Sequence, residues 1–280
     1  MKLYKRNDQA YLIKEGRCYQ WTVEEWDLLV NREHLYQYLG EFAGTLQEIP
    51  PLDWEQEPWD PPMDGQEVWA AGVTYFKSKQ ARMEESQGSG GDRFYDLVYD
   101  APRPELFYKS HRQRTVGHLD QVNIRKDSRW NVPEPELTLL INAHGKIQGY
   151  TAGNDMSSRS IEGENPLYLP QAKVYERCAA LGPCLYIPED PIDPQAEIRL
   201  KIERQGQVLY EDHVKISRMK RTHQELVDYL FTECQFPRGV FLMTGTCLVP
   251  GDDFTLEVDD QVSITIDHVG RLTNRVGTSS

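Results

Sequence analysis

An alternation of apolar and polar residues with a period of two runs through the second half of the chain. It spans residues 198–202, resumes at 208–210 after the turn-forming pair 205–206, and returns at 262–266. Side chains on a strand point to opposite faces in turn, so this pattern is typical of strands with one buried face. It predicts a mainly antiparallel β domain from about residue 136 onward.

Helical patterns are fewer and have recognisable start signals. Thr222, with a glutamate three residues later, forms a capping box before an apolar stripe at 226–231. The same pairing at Thr22 predicts a short helix after it, and residues 34–42 predict another helix. The fold expected is therefore α+β and mainly β.

Clustered prolines between residues 50 and 62 divide the chain. Proline has no backbone N–H and cannot continue a helix or a central strand, so we interpret this stretch as a linker. It closes a small N-terminal α/β domain at 1–62 and precedes a larger domain at 63–280. Short strands are expected at 11–13 and at 67–73.

Composition limits the possible partners. Of the 280 residues, 39% are hydrophobic and 27% charged, and the formal net charge is −13 without a basic cluster. This balance fits a soluble globular protein and argues against a nucleic-acid or membrane partner. The N-terminal residues do not predict a signal peptide, and no apolar run has the roughly 20 residues of a membrane span.

Cysteine usage indicates the compartment. The chain has five cysteines and no Cys-x-x-Cys pair. A reduced cytoplasmic protein with free thiols is the simplest interpretation, and these spacings argue against zinc held by cysteine.

Three carboxylates stand out in a predicted hairpin. A β-prone segment at 134–142 is followed by a turn at 144–145 and by a returning strand. If the loop has two residues, Glu134 lies opposite Asp155. Glu136, two residues on from Glu134, then faces the same way.

Such a cluster needs a nearby cation to be stable. Like charges opposite each other destabilise a sheet, and burying them together adds to the cost. A hard divalent cation resolves the conflict, so Mg²⁺ is expected here, with Mn²⁺ or Ca²⁺ as alternatives. The competing interpretation is a solvated acidic hairpin in an acidic protein, and a bulge in the hairpin would break the alignment.

The motifs of residues 65–276 resemble the fumarylacetoacetate hydrolase superfamily. The matching residues are Glu134-x-Glu136, Gly149-Tyr150-Thr151, Asn154-Asp155-x-Ser157-x-Arg159 and Thr244-Gly245-Thr246. The resemblance implies a C-terminal mixed β-sandwich roll. It also implies that Glu134, Glu136 and Asp155 are the metal ligands.

Further strings resemble the members of that superfamily that dehydrate 2-keto-3-deoxy sugar acids. They are Arg103-Pro104-Glu105, Val116-Gly117-His118, Pro133-Glu134-Pro135-Glu136-Leu137 and residues 164–173. The hydrolases of the superfamily carry a His–Glu pair that activates water, and Ser78 and Ala81 occupy those positions here. Neither residue can act as a general base, which favours a lyase.

The resemblance also points to residues that move protons. A partly desolvated lysine beside a metal can act as a base, so Lys173 is the candidate for the C3 proton. Glu105 is the candidate for the C4 hydroxyl or water. Lys109 either balances the acidic site and contacts substrate or is a structural ion-pair partner. Each of the first two is otherwise an ordinary surface charge.

Pocket residues follow from the same comparison. Thr246 is expected to bind the substrate carboxylate through its hydroxyl, although a Gly flanked by threonines is also a common strand-end turn. Tyr75 and Phe76 are expected to wall the pocket, or to lie in the core as aromatics commonly do. His111 and His118 are interpreted as hydrogen-bonded scaffolding.

The expected activity is a Mg²⁺-dependent conversion of 2-dehydro-3-deoxy-D-arabinonate to 2,5-dioxopentanoate and water in pentose oxidation. The alternatives are a metal-dependent acylpyruvate hydrolase, a 2-oxo acid decarboxylase, or a non-catalytic binder of metal or sugar acid. The resemblance implies a homodimer or homotetramer. The Gly/Ser tract at residues 87–91 is either part of a lid or an idle linker.

Overall fold

The computed structural model describes residues 1–76 and 97–279. The strands in these ranges are β1 (Lys2–Arg6), β2 (Gln9–Lys14), β3 (Arg17–Thr22), β4 (Glu48–Ile49), β5 (Glu67–Gly72), β6 (Glu105–His111), β7 (Thr115–Val116), β8 (Gln121–Ile124), β9 (Asn131–Val132), β10 (Pro135–Ile141), β11 (Ile147–Asp155), β12 (Ser157–Ser158), β13 (Ala179–Tyr186), β14 (Glu197–Arg204), β15 (Gln207–Lys215), β16 (Val240–Met243), β17 (Gln261–Ile266) and β18 (Gly270–Thr278). The helices with both ends in these ranges are α1 (Trp26–Val30), α2 (Leu35–Ala43), α3 (Arg159–Glu164), α4 (Leu169–Lys173) and α5 (His223–Phe231). None of the described helices combines the length and the apolar character that a membrane crossing requires.

Two mixed sheets make up most of the described fold. The larger has the order β4-β3-β2-β1-β13-β11-β10-β16-β5-β6, with β7 beside β13, and the second has the order β15-β14-β17-β18-β8. Most neighbours are antiparallel, whereas the pairs β5–β16, β7–β13 and β8–β18 are parallel. The prediction of a mainly β fold is confirmed.

The centre of the larger sheet is buried on both faces. Leu139 of β10 belongs to one hydrophobic cluster with Leu200 and Ile264 of the second sheet. Its neighbour Leu140 belongs to another cluster with Phe241. Because both faces of β10 are covered, its sequence is a continuous apolar run rather than an alternating one.

The alternating segments form strands as predicted. Ile198, Leu200 and Ile202 of β14 are at most 1% exposed. Gln205 and Gly206 then both take positive φ values, of 52° and 79°. A two-residue turn with left-handed backbone at both positions matches the twist of the paired strands, which explains why the hairpin turns there.

One predicted helix start is confirmed and the other is wrong. The Thr222 side chain accepts a hydrogen bond from the Glu225 N–H over 3.1 Å and caps α5. The Glu225 carboxylate pairs with Arg221 at 2.6 Å. Thr22 instead ends strand β3, and α1 begins at Trp26 without a side-chain cap, because pairing with β2 holds Thr22 in extended backbone.

The N-terminal strands continue the larger sheet. Lys2 of β1 pairs with Tyr186 of β13, so β1 to β4 extend the same sheet as the rest of the chain. The proline-rich stretch contains no helix or strand from residue 50 to 66. This stretch packs against β1, since the ring centroid of the buried Trp59 lies 4.8 Å from that of Tyr4. A domain boundary at residue 62 stays a prediction.

Candidate active site

The β10–β11 hairpin brings the three predicted carboxylates together. Glu136 pairs with Gly153, which is the predicted register. At the open end of the hairpin, the Asp155 N–H donates to the Glu134 carbonyl over 2.9 Å. The two residues therefore lie opposite each other, as the register requires.

The turn of this hairpin differs from the predicted two-residue loop. The Asn142 N–H donates to the Lys146 carbonyl over 3.0 Å, so residues 143–145 form a three-residue loop. The Asn142 side-chain oxygen accepts hydrogen bonds from the His144 and Lys146 N–H groups and stabilises this loop. A bulge between Leu140 and Ile141 then shifts the register back to the predicted one before the site.

The carboxylates form a buried acidic cluster. Glu134, Glu136 and Asp155 are at most 2% exposed. One oxygen from each lies within 4.8 Å of the others. Burial, and then the charges of Asp155 and Glu134, raise the pKa of Glu136 well above its ordinary value. The cluster therefore depends on neighbouring cations.

Lys173 supplies one of these cations at the C-terminal end of α4. Its Nζ donates to Glu134 Oε2 at 2.5 Å, to Asp155 Oδ2 at 3.1 Å and to Ser157 Oγ at 2.5 Å. The side chain is buried beside the Phe107 ring, 5.6 Å from its centroid. The interpretation of Lys173 as an exposed loop lysine is therefore wrong.

Lys109 supplies a second cation behind the cluster. Its Nζ lies 2.5 Å from Asp155 Oδ1, 2.6 Å from the Lys173 carbonyl and 2.8 Å from the Met156 carbonyl. Two donors of the ammonium group go to these carbonyls, and the contact with Asp155 is an ion pair. These contacts are those of an ion-pair partner, and all of them lie within the protein.

Arg159 is the third cation, and sequence reasoning did not assign it a role. Its Nη2 donates to Glu134 Oε1 over 2.6 Å, and its side chain is 2% exposed. Ser157, which contacts Lys173, was missed in the same way. Both lie in the Asn154–Arg159 motif at alternate positions after Asp155, so the spacing contained a signal for them.

A small cavity opens onto the acidic cluster. Its volume is about 10 Å³, which is about the room that a single water-sized ligand needs. Its lining includes the three carboxylates and Ala71, Gly72, Val73, Phe107, Arg159, Lys173 and Thr246. Thr246 is 7% exposed, and its Oγ1 accepts a hydrogen bond from the Leu248 N–H over 3.3 Å.

Gly245 brings a backbone donor to the cluster. Its N–H donates to Glu136 Oε2 over 2.5 Å. Its φ is +100°, and a Cβ at this position would overlap the Thr74 hydroxyl. Only glycine meets both requirements, so the Thr244-Gly245-Thr246 segment holds a carboxylate as well as turning the chain.

Glu105 lies against the wall of the cavity. It is the first residue of β6 and pairs with Gly72, which lines the cavity. A Cβ on Gly72 would overlap Glu105 Oε2. The missing side chain at position 72 is therefore what lets the Glu105 carboxylate approach.

The two predicted pocket aromatics are the last residues of the first described range, which ends at residue 76. Tyr75 is 2% exposed, and burial, followed by neighbours that include Glu136, raises the pKa of its hydroxyl. Phe76 is 56% exposed and packs edge-on against Tyr99 with ring centroids 6.0 Å apart. Neither lines the described cavity. Ser78, Ala81 and the tract at 87–91 lie outside the described residues.

The two histidines contact backbone groups. His118 Nδ1 accepts from the Thr273 N–H over 3.0 Å, which assigns the proton to Nε2, 2.9 Å from the Glu55 carbonyl. Burial lowers the pKa of His118. His111 Nδ1 accepts from the Gln113 N–H over 3.3 Å.

The donor set of the cluster suits a hard divalent cation. Carboxylate oxygens are the ligands that Mg²⁺ prefers, and a site with three of them leaves positions for water or substrate. Histidine and cysteine do not belong to the described cluster, which argues against a softer metal. The residues present therefore fit a magnesium ion.

The fold and this cluster define a member of the fumarylacetoacetate hydrolase family. Residues 68–277 match the family model described as fumarylacetoacetate (FAA) hydrolase C-terminal, so the chain belongs to this family. A relative from Haloferax volcanii, named “Probable 2-keto-3-deoxyxylonate dehydratase”, is 52% identical over 218 residues, which cover 78% of this chain and 74% of the relative. The 2-dehydro-3-deoxy-D-arabinonate dehydratase of Saccharolobus solfataricus is 42% identical over 213 residues, 75% of this chain and 72% of the relative.

Solved structures extend the similarity to the whole chain. A hexagonal crystal form of 2-keto-3-deoxyarabinonate dehydratase superposes with a TM-score of 0.88 at 34% identity and covers 100% of both chains. A complex of 2-keto-3-deoxy-D-arabinonate dehydratase with magnesium and 2,5-dioxopentanoate has a TM-score of 0.85 at 34% identity, covering 100% of this chain and 99% of that one.

Proposed function

We propose that this chain is a Mg²⁺-dependent hydro-lyase that converts 2-dehydro-3-deoxy-D-arabinonate, a 2-keto-3-deoxy sugar acid, to 2,5-dioxopentanoate and water. The observation that carries the proposal is a fully buried lysine, Lys173, in contact with a buried three-carboxylate cluster. The names of the two curated relatives and the magnesium in the similar solved complex support it.

In this proposal Glu134, Glu136 and Asp155 hold the metal. When bound, Mg²⁺ supplies Lewis acidity toward the 2-oxo acid end of the substrate. Two of the three carboxylates, Glu134 and Asp155, are already in contact with Lys109, Lys173 and Arg159. With Lys109 and Arg159 cationic, Lys173 as the neutral base and Glu105 as the protonated acid, a divalent ion gives the site a small excess of positive charge over the three carboxylates. An anionic substrate is attracted to it.

Lys173 takes the C3 proton in our proposal, and it does so as the neutral amine, because an ammonium group has no lone pair to accept a proton. It is buried next to the proposed ligands, so its nitrogen is within reach of a carbon adjacent to the carbonyl of a substrate held there. Ser157, Glu134 and Asp155 orient it through hydrogen bonds. A proton at C3 is made acidic by the neighbouring carbonyl, and its removal places the electron pair that expels the C4 hydroxyl.

Glu105 gives a proton to the departing C4 hydroxyl, which leaves as water. Its position against Gly72 sets it at the cavity wall, on a different strand from the proposed ligands. An elimination needs one group that removes the C3 proton and another that protonates the leaving hydroxyl, and two separate side chains meet this need. The enone that results then tautomerises through C4 and C5 to the aldehyde.

Thr246 is the proposed contact for the substrate carboxylate. It lines the cavity beside Gly245, so a hydroxyl is available near the cluster. Tyr75 and Phe76 follow Gly72 at the end of β5, which lines the cavity, and they remain proposed walls of the substrate pocket.

A product assay tests this function. The purified protein is incubated with Mg²⁺ and 2-keto-3-deoxy-D-arabinonate, and the aldehyde product is oxidised by an NADP-linked semialdehyde dehydrogenase while NADPH absorbance is followed. We expect turnover that EDTA abolishes and Mg²⁺ restores. The Lys173→Met variant should lose at least 100-fold in turnover.

An acylpyruvate hydrolase and a 2-oxo acid decarboxylase are the alternatives that the same preparation can reveal. Acylpyruvate and oxaloacetate are supplied in parallel with Mg²⁺ present. Hydrolysis or decarboxylation of these compounds, without aldehyde from the sugar acid, would reject the dehydratase.

We also propose a cytoplasmic location, a role in pentose oxidation, and assembly as a homodimer or homotetramer. The five cysteines are free thiols, which supports a reducing compartment. Light scattering coupled to size-exclusion chromatography measures the assembly directly, and a monomer mass would reject it.

A further inference from the structure

We propose that Lys109 is a positioning residue, which sets the geometry of Lys173 and Asp155 without touching the substrate. This inference rests on the proposed dehydratase function and deepens it. It replaces the expected substrate contact of Lys109 with an indirect role, because the contacts of its ammonium group lie within the protein.

A β-bulge directs Lys109 to the cluster. Val68 pairs with Ser110, but the next residue, Trp69, pairs with Tyr108. The register therefore shifts at Lys109, which is the extra residue of β6. Bulges re-aim side chains next to active sites, and this one points a long cationic side chain into the interior.

The ammonium group joins three separate parts of the chain. It lies 2.5 Å from Asp155 Oδ1 at the end of β11, and it donates to the Met156 carbonyl just after it. It also donates to the Lys173 carbonyl at the end of α4, over 2.6 Å. One side chain thus ties β6 to a proposed metal ligand and to the backbone of the proposed base.

The two lysines hold opposite oxygens of the same carboxylate. Lys109 contacts Oδ1 of Asp155 and Lys173 contacts Oδ2. Asp155 therefore has its plane fixed from both sides. Because α4 has only five residues, its last carbonyl needs an outside partner, and Lys109 provides it. Loss of Lys109 releases both the carboxylate and the backbone of Lys173.

The test compares two buried lysines. Lys109→Met keeps the length and apolar character of the side chain and removes the three donors. Lys5→Met is the matched control, because Lys5 is 6% exposed and its Nζ pairs with Asp64 at 3.0 Å in the N-terminal strands. Both variants are assayed with saturating Mg²⁺ beside the wild type, with circular dichroism and thermal melting to establish the folded fraction.

We expect kcat of Lys109→Met to fall about 10- to 100-fold, as for other outer-shell partners, with KM within about threefold. Lys5→Met should lose thermal stability and keep kcat. Lys109→Gln, which retains an amide donor, should recover part of the loss.

Each outcome decides the inference. A folded Lys109→Met with wild-type kcat overturns it, and so does a rise in KM alone, which would indicate a direct substrate contact. If neither the Met nor the Gln variant folds while Lys5→Met does, Lys109 is a folding residue and the proposal also fails. An inactive wild type rejects the dehydratase function instead, so the two failures are distinguishable.

Discussion

Among single residues, Glu136 has surroundings that oppose a negative charge. Its carboxylate is buried beside two others, and its described donor is the Gly245 N–H. A glutamine keeps an oxygen for that N–H and removes one charge from the cluster. We therefore expect Glu136→Gln to fold with an unchanged or higher melting temperature.

Metal affinity, unlike thermal stability, should fall in the Glu136→Gln variant. Loss of one of three carboxylates should lower Mg²⁺ or Mn²⁺ affinity at least 100-fold and abolish turnover, as measured by isothermal titration calorimetry and the aldehyde assay. Glu211→Gln, on the exposed strand β15, is the control. Retained affinity in Glu136→Gln would refute its assignment as a ligand.

Gly72 is the second residue with a specific prediction. An alanine methyl at this position would overlap Glu105 Oε2 and displace that carboxylate from the cavity wall. We expect Gly72→Ala to lower kcat more than tenfold while the protein binds Mg²⁺ with unchanged affinity. Gly40→Ala, in helix α2 with 3.8 Å to the nearest contact, should instead be neutral or slightly stabilising. Equal kinetics in the two variants would show that Glu105 has no role in turnover.

At the scale of single elements, helix α5 contains a buried histidine that makes stability depend on pH. His223 follows the Thr222 cap, and burial lowers its pKa from 6.5 to about 4. The folded state therefore disfavours the protonated form. The neutral His223 side chain therefore contributes fully to the free energy of unfolding above pH 6.5, and this contribution is lost as the pH falls toward 4.

The expected loss from this histidine is about 2 kcal/mol of unfolding free energy between pH 7 and pH 5, the difference that the two pKa values imply. Urea unfolding at both pH values measures it. His223→Gln should show a smaller decrease over this interval than the wild type. An identical decrease would mean that other groups control the acid sensitivity.

Over the whole molecule, the pairing of β1 with β13 predicts a single cooperative unfolding unit. Leu3 of β1 is fully buried and pairs with Leu185. Leu3→Ala should cost about 2 to 5 kcal/mol and shift one calorimetric transition as a whole. Leu28→Ala, at a side chain that is 59% exposed, should change it little. Two transitions, of which Leu3→Ala moves one, would support an independent N-terminal domain.

Local patterns predicted much of the fold. Alternation identified β14 and β17, and the capping signal identified the start of α5, because such patterns depend on near neighbours in the chain. The same reasoning failed at Thr22, where pairing with β2 decided the backbone. It also predicted a two-residue turn in the β10–β11 hairpin, where the Asn142 side chain stabilises a three-residue loop and a bulge restores the register.

The sequence by itself predicted the convergence of Glu134, Glu136 and Asp155, because hairpin pairing joins residues that are close in the chain, although a three-residue turn and a bulge that offset each other restored the predicted register. Only the tertiary structure decided what surrounds them. Lys109, Lys173 and Gly245 come from segments far apart along the chain, and they meet the carboxylates because sheet order and α4 bring them there. Burial of the cluster requires such partners, since charges without them would be too costly to hold in the core.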